Sequence, residues 1–122
     1  MAEEKQILYV QTSGVDMPQR LYSPFVLAAT ARAMGVRAII YFLGAGITVV
    51  KQGEAEKVQV GAFPSLRQVM DQAVSAGVEL VVCEQSTQLM NMSRGDFIPE
   101  AKIVGAATLN DLALDADATM WF

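Results

Sequence analysis

The sequence predicts a three-layer α/β/α domain built on a mostly parallel sheet of about five strands, and three observations predict it. Apolar runs at 7–10, 36–43 and 78–82, interrupted only by Arg37 and Glu79 near the start of the second and third, are short and do not alternate, as with strands when helices cover both faces of a sheet. Segments of helical spacing separate these runs. The first two such segments end at Gly35 and Gly77, each just ahead of the next apolar run, where a helix stop is expected.

In chain order, Ile7-Leu8-Tyr9-Val10 is the first strand, and Thr12-Ser13-Gly14 ends it. Residues 18–34 place Leu21, Phe25, Ala28, Ala29 and Arg32 at helical spacing, with Ser23 expected as N-cap and Pro24 at the first helical position. The second strand, centred on Ala38-Ile39-Ile40-Tyr41-Phe42, runs into the loop Gly44-Ala45-Gly46, and 47–50 reads as a short strand or a helical turn. After the polar, turn-rich stretch 52–64, residues 65–76 put Leu66, Val69, Met70 and Ala73 on one helical face. The third strand then delivers Cys83. A short helix over 84–90, a loop at Ser93-Arg94-Gly95-Asp96, a strand at 103–107, a helix capped by Asn110 and a final strand at 118–122 complete the pattern. Strands alternating with helices call for right-handed crossovers in a flavodoxin-like arrangement, as one domain over 1–122.

Composition excludes several functions. With 122 residues and 52% hydrophobic content, the chain has material for a core without disulfide or metal staples. A net charge of −4 and no Lys/Arg cluster argue against nucleic acid. With no histidine and one cysteine, imidazole catalysis is excluded, no thiolate or imidazole metal set exists, and no cofactor is called for. The start Met1-Ala2-Glu3-Glu4 lacks a basic segment leading into an apolar one, and residues 38–50, broken by Gly44 and Gly46, are too short to span a bilayer. A cytoplasmic protein without a membrane span is the expectation.

Cys83 is the candidate for chemistry. It falls where the apolar run ends and the polar Glu84-Gln85-Ser86-Thr87-Gln88 begins, a strand end meeting a helix start. Ligands bind at the carboxyl ends of strands in open parallel sheets, and a helix amino terminus there favours thiolate over thiol. Glu84 opposes this if it points toward the sulfur. A free cysteine is also commonly a small buried hydrophobe.

Other residues are candidates for a pocket or docking surface. Gly44 and Gly46 permit close backbone approach, but the spacing is neither a dinucleotide fingerprint nor a phosphate loop, and a tight turn explains them better. Thr12-Ser13-Gly14-Val15-Asp16 lies where flavodoxins bind phosphate, yet Asp16 would repel one, so Gly14 is read as walling a pocket. Met90, Met92, Arg94 and Asp96 offer adaptable apolar contact and charge for a partner, or form an ordinary surface loop.

Taken together, the first strand and its loop with Gly14 and Asp16, the helix ending Ala33-Met34-Gly35, and the strand and loop Ile40-Tyr41-Phe42-Leu43-Gly44-Ala45-Gly46-Ile47 form one set of markers. With them go the segment Ser75-Ala76-Gly77-Val78-Glu79-Leu80-Val81-Val82-Cys83 and the ending from Leu109-Asn110-Asp111-Leu112 to Ala116-Asp117. This order and spacing resembles the DsrE/DsrF-like proteins over nearly the whole chain. The resemblance implies a cytoplasmic sulfurtransferase or sulfur relay protein, a homotrimer or homohexamer. Cys83 would accept sulfane sulfur as a persulfide from a low-molecular-weight persulfide or thiosulfate donor and exchange it with a TusA-like carrier protein. No second cysteine is present, so a two-thiol relay within one subunit is not implied.

Such chemistry is thiol exchange without metal or organic cofactor, and stronger activation of the thiol would need a cation, Arg94, Lys51 or Arg67, or another subunit. The alternative is a non-catalytic oligomeric interaction module with Cys83 in its core and the apolar residues around Met120-Trp121-Phe122 serving assembly. A mean hydropathy of +0.31 suits an oligomer under either reading. A flavin or nucleotide binder is a third, weaker reading.

Overall fold

The computed structural model describes residues 4–122; Met1, Ala2 and Glu3, where the chain start was read for a targeting signal, lie outside them. Five strands form one parallel sheet: β1 (Gln6–Gln11), β2 (Arg37–Phe42), β3 (Glu79–Cys83), β4 (Ala101–Val104) and β5 (Ala118–Trp121). Their spatial order is β4-β3-β2-β1-β5. From β1 to β4 the chain steps steadily toward one edge, so right-handed crossovers place all three connections on one face. The return from β4 to β5 runs the opposite way and therefore crosses the other face.

The packing follows this rule. On the first face, α1 (Tyr22–Ala33) and α2 (Leu66–Ser75) cover Tyr9, Ala38, Ile40, Phe42, Leu80 and Val82, and Phe97 and Ile98 of the β3–β4 connection join the same core. A further 3-10 segment, Gly44–Val50, adds buried Ile47, Val49 and Val50. On the second face lie Leu8, Val10, Ile39, Tyr41, Val81 and Cys83, packed by Leu109, Leu112 and Ala116. These come from α4 (Ala106–Asp115) and its C-cap, and α4 itself has no fully buried residue. The two helical layers are thus unequal, and Cys83 belongs to the smaller core, on the side of the thinner one.

Three local details differ from the sequence reading. Ser23 is not an N-cap: a 3-10 turn over Pro18–Arg20 precedes α1, Leu21 takes the cap position, and Ser23 and Pro24 sit in the first turn. Proline is tolerated there because first-turn N–H groups lack helical partners anyway. The fourth strand ends at Val104, not 107, and Asn110 is interior to α4, which begins at Ala106 behind an N-cap at Gly105. Alanine is the strongest helix former, and Ala106-Ala107 therefore open a helix where an apolar run suggested a strand. Conversely, α2 has the expected start: Ser65 and Gln68 form a reciprocal capping box.

Candidate functional site around Cys83

Cys83 ends β3 and is at the same time the N-cap of α3 (Glu84–Leu89). The backbone N–H of Ser86, three residues on, donates to the Cys83 sulfur at 3.4 Å, so the sulfur takes the place that a serine or aspartate oxygen takes in an ordinary cap. Ser86 is itself buried, and its Oγ accepts a hydrogen bond from the Gly44 N–H at 2.7 Å. With its lone pair engaged by Gly44, the hydroxyl proton of Ser86 is free to point at the sulfur.

Cys83 is 4% exposed. Burial opposes ionisation, but the Ser86 hydroxyl, the Ser86 N–H, the Tyr41 hydroxyl and the Gln85 N–H outweigh it, and the thiol is held below its ordinary pKa. The field that favours thiolate is therefore made of hydroxyls and backbone amides.

Tyr41 was not singled out from the sequence. It lies on the neighbouring strand, paired with Val81, which makes Cys83 its diagonal neighbour on the same face. Such diagonals are within reach of an aromatic side chain. Tyr41 is fully buried, and its hydroxyl makes no hydrogen bond of regular geometry. Its O–H is among the groups that hold the Cys83 thiol below its ordinary pKa. Burial raises its own pKa, and the adjacent sulfur adds to that rise.

The remaining candidates divide. Glu84 is exposed, in contrast to the buried thiol beside it. Gly44 adopts φ 59°, a left-handed conformation suited to glycine, and orients its N–H toward Ser86. A Cβ on Gly46 would stand 1.9 Å from the Gln11 carbonyl oxygen, and one on Gly14 would stand 2.5 Å from that of Ala45. These two glycines let the β1 end and the 3-10 segment touch backbone to backbone. Arg94 is exposed, and its guanidinium donates to the carbonyls of Ile98 and Pro99. Arg67 is held by Asp71 and Glu100. The Lys51 backbone forms an isolated antiparallel bridge with Phe97. Thr12 and Ser13 turn to the Phe122 carbonyl, through both N–H groups and the Thr12 hydroxyl. Met92 packs on the core while Met90 is partly exposed, and Asp96 caps Ser93.

The strand beside Cys83 adds the last feature. Cys83 pairs with Val104, directly before Gly105 and the start of α4. The connection leaving β3 departs to one face and that leaving β4 to the other, which makes this the point where ligand crevices form in open parallel sheets.

The profile of the DsrE/DsrF-like family matches residues 5–122. The chain belongs to this family. Among DsrE/DsrF-like relatives, the sulfur carrier protein DsrE2 of Allochromatium vinosum is 21% identical, with 98% of this chain and 99% of that protein covered. An uncharacterized protein of Methanocaldococcus jannaschii, MJ0760, is 26% identical over 95% of this chain, which spans only 42% of that protein's length. The fold matches the crystal structure of the ychN protein from E. coli, with a TM-score of 0.78 at 16% identity, covering 98% of this chain and all of that one. It also matches MTH1491 of Methanobacterium thermoautotrophicum, a protein of unknown function, with a TM-score of 0.65 at 11% identity and the same coverage. Among the described residues no group of three or more His, Cys, Asp or Glu could hold a metal ion, and no helix is long and apolar enough to cross a membrane.

Proposed function

We propose that this DsrE/DsrF-like protein is a cytoplasmic sulfurtransferase or sulfur carrier that accepts sulfane sulfur on Cys83. The observation that carries this reading is a lone cysteine at a strand end, its sulfur receiving hydrogen bonds that favour thiolate, in a family with a relative named a sulfur carrier protein. The Cys83 thiolate attacks the outer sulfur of a donor persulfide. A new Cys83 S–S bond forms, the donor S–S bond breaks, the donor leaves as a thiolate, and the transferred sulfur keeps its proton. No oxidant, metal or organic cofactor is consumed. The acceptor is a protein thiol, of the kind a TusA-like carrier presents, and the donor is a low-molecular-weight persulfide or thiosulfate; from thiosulfate the broken S–S bond releases sulfite and leaves the persulfide ionised.

A homotrimer or homohexamer fits the apolar surface: Leu114 is 84% exposed, Trp121 59% and Met120 38%. The 4% exposure of Cys83 favours a second reading, an oligomeric interaction module in which the cysteine only fills the core. Intact mass after brief incubation with glutathione persulfide separates the two. A reducible gain of whole sulfur atoms on wild type, absent from Cys83→Ser, supports the carrier. No gain, together with resistance of Cys83 to alkylation, leaves the interaction module.

A further inference from the structure

We propose that Tyr41 is a positioning residue for sulfur: its buried hydroxyl, which has no regular partner, is kept available to donate a hydrogen bond to the charged sulfur carried by Cys83, first the thiolate and then the outer sulfur of the persulfide. The second half of this statement rests on the sulfur-carrier reading; the first half does not.

The chain has three tyrosines. The Tyr9 hydroxyl donates to the Leu27 carbonyl at 3.3 Å and that of Tyr22 to the Pro64 carbonyl at 2.9 Å. Tyr41 alone lacks such a bond while being fully buried. Buried Gln6 and Gln11 also carry an unpaired atom, but each bonds through its other polar atom, to Arg37 and to Ser13. Tyr41 has only the one. A buried hydroxyl without a partner is costly, and phenylalanine would fill the same space among Leu8, Val10, Ile39 and Val81 without that cost. Within this cluster Cys83 is the residue besides Tyr41 that can ionise, and a charge on its sulfur accounts for the hydroxyl.

The arrangement is also directional. Ser86 donates to the sulfur from the helix that follows, and Tyr41 stands diagonal to it on the adjoining strand. One donor on a second element is therefore already bonded to the sulfur, and the other, unpaired, is available to it. In the transfer step the attacking sulfur loses its negative charge as the new S–S bond forms, and charge reappears on the outer sulfur when the persulfide ionises. A phenol on a flexible O–H can follow that shift without backbone movement.

Tyr41→Phe tests this in three readouts. Removing the orphaned hydroxyl leaves the melting temperature equal or higher. The pH profile of iodoacetamide alkylation at Cys83 moves to higher pH, and at neutral pH both alkylation and sulfur loading fall about tenfold, the size expected for loss of one hydrogen bond to a charged group. A profile that stays with wild type overturns the proposal. A second measurement avoids any variant at Tyr41: with 13C-labelled tyrosine ring carbons in the wild-type protein, one of the three Cζ resonances follows the Cys83 titration, and Cys83→Ser abolishes that step. Absence of such a step overturns the proposal as well. If wild type takes up no sulfur while the Cζ step is present, the sulfur-carrier reading and the persulfide half fall together, and the role of Tyr41 toward the thiolate stands.

Discussion

Replacing Ser86 with alanine removes two interactions with one oxygen. The Gly44 N–H, 2.7 Å from Ser86 Oγ and partly buried, loses its partner. Leaving such a donor unsatisfied costs about 1–3 kcal/mol. The Ser86 backbone N–H still caps through the sulfur, so α3 keeps its start and the loss is confined to the loop contact. For a chain of this size about 2 kcal/mol corresponds to roughly 6–10 °C in melting temperature. The second loss is chemical. The Ser86 hydroxyl leads the groups that hold the Cys83 thiol below its ordinary value, so without it the thiolate fraction at neutral pH falls, by about tenfold for one hydrogen bond to a charged group. The assay pairs thermal denaturation with alkylation rate against pH, each relative to wild type. A Ser86→Ala protein that melts within a degree of wild type and alkylates with an unshifted profile would refute both the loop contact and the hydroxyl's role.

Further expectations concern charge and packing. Because the Cys83 pKa is lower in the folded state, ionisation contributes stability that is fully present above the ordinary thiol pKa of about 8.5 and is lost as pH falls through the folded value. The urea stability of wild type minus that of Cys83→Ser, measured in reductant, should therefore rise from neutral to mildly alkaline pH, and a flat difference contradicts the shift. Arg94→Ala should leave the alkylation profile where it is, since the guanidinium is committed to the Ile98 and Pro99 carbonyls; a displaced profile would show that the cation does reach the thiol. Gly46→Ala should lose about 3 kcal/mol or fail to fold, because its Cβ would stand 1.9 Å from a backbone oxygen, whereas Gly95→Ala, with open space around it, should stay within about 0.5 kcal/mol. Urea midpoints of the two variants decide this.

Much of this architecture was legible because parallel strands buried on both faces are apolar nearly throughout, and Tyr9, Ile40 and Val82 stand in short apolar runs bounded by turn residues. The reading failed where local and tertiary preferences compete. Ala106 and Ala107 suit both a buried strand and a helix, and only the crossover to the far sheet edge decides for helix. At the site, position alone marked Cys83, since a strand end followed by polar residues is visible in one dimension. Tyr41 and Gly44 reach Cys83 and Ser86 only through the pairing of β2 with β3, a register no local pattern encodes. Ser86 was within reach of inspection: a residue three places beyond a cap supplies the amide that closes the cap. Where the Arg94 guanidinium finds acceptors was not legible either, since sequence proximity to Cys83 does not reveal its bonds to two carbonyls of its own loop.

The unequal cover of the two sheet faces bears on which part of the fold opens first. One face is sealed by two helices and a 3-10 segment that contribute many fully buried side chains, whereas the face holding Cys83 is closed by α4, which contributes none. Few buried contacts lower the free energy of local opening, so the amides of α4 should lose their protection against exchange before those of the face sealed by α1 and α2.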